Sequence, residues 1–196
     1  VSDPAPKPWY DWVLELMETF FTNQQLGAAG AGPAALKTAI TVHANLPTFA
    51  PANRQPPPGA AESRDLCDAH PELARRYLLL KAAFQERTGR CLIETCTWRS
   101  AAHQQELFKI GRRGVPGELT VTQLDGVTKK SRHMVYPAEA VDVAVDMEPG
   151  AAKHHPTWDR AAYAILGPLA AEFGLVWGGN WHLDDYPHLE LPANGS

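Results

Sequence analysis

From residue 71 onward the apolar positions alternate between helical and strand periods. In 71–89, Leu73, Tyr77, Leu80 and Phe84 fall on one stripe of a helix. Pro71 suits its first turn and Gly89 its end. CLIETCTW (91–98) is short and β-rich, a strand. SAAHQQELFKIG (100–111) predicts a helix opened by Ser100 and closed by Gly111. Residues 112–130 are polar with scattered glycines, a loop with a short strand at Leu119–Thr122. AVDVAVD (140–146) alternates strictly and predicts a central strand. Trp158–Phe173 reads as one more helix, ended at Gly174. LVWGGNWHLDDYPHLEL then gives a strand, a loop and a second strand. The sum is α+β, a small antiparallel sheet flanked by helices.

The first third differs. WYDWVLELMETFFT (9–22) places Trp9, Trp12, Val13, Leu16 and Phe20 near helical spacing. The segment is acidic, which argues for a core or docking helix and against an anionic membrane surface. Residues 27–34 are rich in Gly and Ala, and 46–60 in Pro, an extended linker. The chain thus divides into an N-terminal helical appendage with linker, 1–61, and a domain at 62–196.

A length of 196 residues suits such a domain plus appendage. The formal charge of −4 leaves no basic footprint, so nucleic acid is not the expected partner. Lys109, Arg112, Arg113, Lys129, Lys130 and Arg132 form a local basic region. A solvated loop is its favoured reading, with attraction to peptide carboxylates as the alternative. Cys67, Cys91 and Cys96 are odd in number and form no CxxC, so buried reduced thiols are expected. No apolar run approaches the roughly 18 residues of a membrane span, and no secretory signal is read at the N-terminus.

Two clusters carry chemistry. One is Ser131-Arg132-His133 followed by Ala140-Val141-Asp142; the other is Asp185-Tyr186-Pro187-His188-Leu189-Glu190. Two histidines and a carboxylate are a common set for catalytic Zn²⁺, which keeps a fourth position open. Such a site lowers the pKa of water to about 7, and a further carboxylate must then carry protons. Asp185 stands three residues before His188. On an extended chain the two would point to opposite faces, so a turn at Tyr186-Pro187 is required. Asp184 competes with Asp185. Glu190 is free either to orient a ligating histidine or to face water.

TWRSAAHQQELFKIGR, KKSRH, AVDVA, GGNW and DYPHLE occur in this order. Together they resemble the VanY-like zinc peptidases of the D-alanyl-D-alanine metallopeptidase group, and within it the L-alanyl-D-glutamate endopeptidases of phage lysins. The resemblance covers roughly 70–192 and implies a fold shared with the hedgehog domain. It implies zinc held by His133, Asp142 and His188, with Asp185 as general base. Arg99 would face the scissile carbonyl, and Ser131 and Trp181 would contact substrate. The substrate implied is the stem peptide of peptidoglycan. Asp at position 185, where D-alanyl-D-alanine enzymes usually carry Glu, points to the endopeptidase branch. A D,D-carboxypeptidase or dipeptidase is the alternative, and a non-catalytic zinc-bearing wall-binding module is a third. A monomer is expected, made in a host cytoplasm and acting on the wall after release.

Two features depart from the pattern. The interval from His133 to Asp142 is two residues longer than in many relatives, with Pro137 setting a turn in MVYPAEA. This makes Asp146, on the same strand face, the rival ligand. GGNW also places Asn180 where Asp is commoner. His154 and His155 read as a loop, His182 as a loop histidine, and His43, His70 and His103 as surface or capping residues.

Overall fold

The computed structural model describes residues 55–56, 58–151 and 153–193, all within a compact unit spanning Phe49–Ser196. The helix read at 9–22, His43 and most of the appendage lie outside the described residues.

The longest helix, α1 (Pro71–Thr88), forms where expected. His70 caps it by accepting from the Glu72 N–H, Pro71 occupies the first turn, and Gly89 closes it at φ 67°. Leu73, Tyr77, Leu80 and Phe84 are fully buried. The stripe packs on β2 (Cys91–Cys96), the first strand of the main sheet. Beside it runs β4 (Ala140–Asp146), which pairs antiparallel with β2. On its other edge β4 pairs with β5 (Pro156–Thr157) and β7 (His188–Glu190). β6 (Val176–Trp177) closes the sheet against β7. All pairs are antiparallel, so the α+β architecture stands. β4 is interior, which accounts for Val141, Val143 and Val145 being wholly buried.

Four expectations need correction. The strand expected over 91–98 is two strands. The β2–β4 register shifts between Glu94 and Cys96, and Thr97 N–H turns instead to the Ser63 carbonyl. Trp98–Arg99, β3, then pairs with β1 (Glu62–Ser63). The second helix, α2 (Ala101–Lys109), is capped by Ser100 as expected but ends at Ile110, before Gly111. No strand forms at Leu119–Thr122. That segment is pinned by Arg112, which donates to the Thr122 carbonyl and to Gln123 Oε1. The helix expected over Trp158–Phe173 is broken into α3 (Arg160–Tyr163) and α4 (Leu166–Glu172). Pro168 has no N–H for the Ala164 carbonyl and its ring crowds that carbonyl, which interrupts a continuous helix there.

Cys96 is buried, as expected, whereas Cys67 and Cys91 are only half-buried. No described helix is long and apolar enough to cross a membrane.

Candidate metal centre

The sheet register builds the site. Asp142 on β4 lies directly opposite His188 on β7, and cross-strand partners share a face. Cys96 on β2 is the partner of Asp142 on the other side. His133 arrives from a short 3-10 turn, Arg132–Met134, capped by Ser131. The loop between His133 and β4 is held at a distance from the site. Ala138 exchanges backbone hydrogen bonds with Asp68 and His70, and Tyr136 OH donates to Asp68. The loop contains a cis Tyr136–Pro137 peptide, and beyond it Asp142 stands opposite His188.

Three atoms converge. His133 Nε2 is 3.1 Å from Asp142 Oδ1 and 3.2 Å from His188 Nδ1, and the latter two are 3.0 Å apart. Ligands about 2.0–2.1 Å from a tetrahedral zinc would stand about 3.3 Å from one another. The triangle is close to one face of that tetrahedron, and its nitrogen and carboxylate donors suit a zinc ion. Both histidines have the right tautomer enforced from behind. His133 Nδ1–H donates to the Thr97 carbonyl at 2.7 Å, and His188 Nε2–H donates to Glu190 Oε2 at 3.0 Å. Each leaves its other nitrogen's lone pair directed into the triangle. Glu190 is itself held by Arg132, which also pairs with Glu139.

The electrostatics follow from this crowding. Burial opposes charge on His133, but the adjacent Asp142 carboxylate outweighs it and pushes the imidazole up to about 10. His188 is raised too, with burial opposed by hydrogen bonds to Asp142 and Glu190. Burial disfavours the Asp142 anion, yet the two histidines hold its carboxyl well below the usual range. A cation in the triangle would replace those protons.

The triangle opens into a cavity of about 400 Å³ whose lining includes Arg99, Ser131, Trp181 and Asp185. Asp185 reaches it through the turn expected at Tyr186-Pro187, in which the Asp185 carbonyl accepts from the His188 N–H. Gly178 makes that turn possible: a Cβ there would meet the Asp185 carbonyl oxygen at 2.6 Å. Desolvation, then the Asp142 charge, raises the Asp185 carboxyl above its ordinary value. Asp184 is directed elsewhere, accepting from Tyr186 OH and facing Arg160. The Trp181 ring centroid is 4.9 Å from that of His188. Ser131 is buried, and its Oγ accepts from the His133 N–H. Arg99 donates from Nη2 to Asp142 Oδ2 at 3.3 Å, on the oxygen turned away from the histidines.

The other candidates lie apart. Asp146 is at the far end of β4, about 13 Å along a strand rising about 3.3 Å per residue. It accepts from His154 Nδ1 and from the backbone N–H of Glu148 and His155. His103 sits near Glu62. His182 and Asn180 are exposed. Cys96, expected from the sequence as a buried reduced thiol, places its sulfur within 4.8 Å of donor atoms of His133 and Asp142. Only the pairing of distant strands reveals it. Trp158 and Lys130 also line the cavity.

Residues 125–191 match a family model described as D-alanyl-D-alanine carboxypeptidase. Among solved structures, the chain is similar to the crystal structure of Serratia marcescens L-Ala D-Glu endopeptidase ChiX. The two are 29% identical over 67% of this chain and 86% of that one, at a TM-score of 0.45. No curated protein matches. The stretch that matches this D-alanyl-D-alanine carboxypeptidase model carries His133, Asp142, Asp185 and His188, and its similarity to that family agrees with the resemblance of the motifs.

Proposed function

We propose that the chain is a zinc peptidase that hydrolyses the stem peptide of peptidoglycan, as an L-alanyl-D-glutamate endopeptidase of the phage-lysin type. The observation that carries this reading is the triangle of His133 Nε2, Asp142 Oδ1 and His188 Nδ1, opening into a cavity shared with Asp185 and Arg99. A bound zinc ion would supply Lewis acidity toward the scissile carbonyl and acidify water. Asp185 accepts a proton from the attacking water and passes it to the leaving amine. Its raised pKa brings it closer to the range in which a group both takes and returns a proton. Arg99 offers a fixed positive charge as the carbonyl oxygen becomes anionic. Trp181 gives the substrate an apolar wall beside His188. The site of action is the cell wall, reached after release from the producing cell.

The choice of bond rests on Asp185 in place of Glu. The description of the matched family favours a second reading, removal of a terminal D-alanine by the same residues. Digesting muropeptides with and without a zinc chelator, read by mass spectrometry, decides between them. Chelator-sensitive scission between L-Ala and D-Glu supports the first reading and loss of D-Ala the second. An inert protein that still sediments with walls would replace both with a binding module.

A further inference from the structure

Gln104, on α2, is fully buried, and its amide has one orientation compatible with its neighbours. Its Nε2 donates to the Leu124 carbonyl at 2.8 Å and to Thr122 Oγ1 at 3.4 Å. Its Oε1 therefore faces Arg99, whose Nη1 donates to it at 3.1 Å. The flipped amide would set NH₂ against the guanidinium and a carbonyl against the Leu124 carbonyl, two repulsive contacts. Arg99 has its second bond to Asp142 Oδ2, and its buried Nε has no partner. Two points fix the plane of a guanidinium, whereas one leaves it free to turn. Thr122 and Leu124 are themselves part of the cavity wall. The turn that carries them rests on the glutamine: at Gly126, φ 75°, a Cβ would meet Gln104 Cγ at 3.1 Å.

We propose that Gln104 is a positioning residue, holding the Arg99 guanidinium at the cavity and tying its orientation to the 122–126 wall. This rests on the reading of Arg99 as the group facing the scissile carbonyl. Pressure of a substrate on that wall is then passed through one amide to the guanidinium. The binding surface and the charge that answers the developing oxyanion move as one unit.

The test compares the full chain with Q104M, which keeps the volume and loses the acceptor, and Q104E, which keeps an acceptor for Arg99. The first readout is the ¹⁵N spectrum of the arginine guanidinium groups, with Arg99 assigned by its loss in R99K. Resolved Nη signals are expected in the wild type and in Q104E, and averaged signals in Q104M. Unchanged Arg99 signals in a folded Q104M would overturn the proposal. The second readout is muropeptide hydrolysis. In Q104M kcat is expected to fall on the order of 10²-fold, as for a misplaced catalytic group, with KM little changed. In the R99A background Q104M should cost nothing further. Equal losses in both backgrounds would show that Gln104 acts through packing alone and would overturn the proposal. If Q104M fails to fold, Q104E decides: loss of its resolved Arg99 signals contradicts the proposal. A wild type inert toward muropeptides would defeat the peptidase reading, and the spectrum would still decide the role of Gln104.

Discussion

Glu190→Gln tests the logic of the metal centre at one atom. His188 and Glu190 are two apart on β7, so both project from the same face. The Glu190 carboxylate accepts from His188 Nε2–H at 3.0 Å, which forces the free lone pair onto Nδ1, the atom in the triangle. An amide keeps the shape but not the charge, and charge-assisted hydrogen bonds are about twice as strong as neutral ones. An amide can also turn its NH₂ toward Nε2 and select the tautomer that cannot ligate through Nδ1. Outer carboxylates of this kind are worth about 10- to 100-fold in metal affinity, or about 1.4–2.8 kcal/mol. Zinc affinity measured by competition with a chromogenic chelator should fall by that factor. Glu139→Gln is the control, because Glu139 bonds the same Arg132 without touching His188. If Glu190→Gln binds zinc as tightly as the wild type, or both variants weaken alike, the tautomer argument is wrong.

Other outcomes follow from the same structure. Asp185→Ala should retain zinc by elemental analysis while wall hydrolysis drops about 10²- to 10⁴-fold, the usual worth of a general base; full activity would remove its role. Gly178→Ala should fold yet lose most activity, since the added methyl would sit 2.6 Å from the Asp185 carbonyl and displace the turn. Leu80→Ala, at a fully buried position of α1, should cost about 2–5 kcal/mol in urea denaturation. Glu72, hydrogen-bonded to Arg75 and Arg76, has its pKa lowered to about 2. Its contribution is present above the unfolded value of about 4.3 and is lost as pH falls through the folded one. Glu72→Gln should therefore destabilise at pH 7 by no more than about 1 kcal/mol, because the pair is partly solvated, and the difference should vanish near pH 2.

Where local pattern is long and capped, the sequence was sufficient. Helix α1 carries its stripe, its Pro71 and its Gly89 within one window, and β4 announces itself by alternation. Trp158–Phe173 has a comparable apolar pattern, but Pro168 acts on a carbonyl four residues back, and that local veto divides it. Leu119–Thr122 has strand-like composition yet forms no strand, and its Thr122 carbonyl accepts from the Arg112 side chain instead of from a neighbouring strand. At the site, Asp142 and Asp146 share a strand face, so periodicity could not choose between them. The register against β7 puts Asp142 opposite His188 and leaves Asp146 opposite Pro156. Gln104 and Cys96 gain their neighbours from strands and loops far along the chain, which no window of residues contains.

The direct pairing of Asp142 with His188 has a mechanical consequence. A cation shared by those two side chains would act as a rivet across β4 and β7, and His133 would fasten the same point to the turn after residue 130. β7 is only three residues long, and so short a strand opens locally at low cost. Hydrogen exchange at Leu189 and Glu190 should then slow sharply on metal addition, with little change in α1. The ion would set how cooperatively the last strand is joined to the rest of the domain.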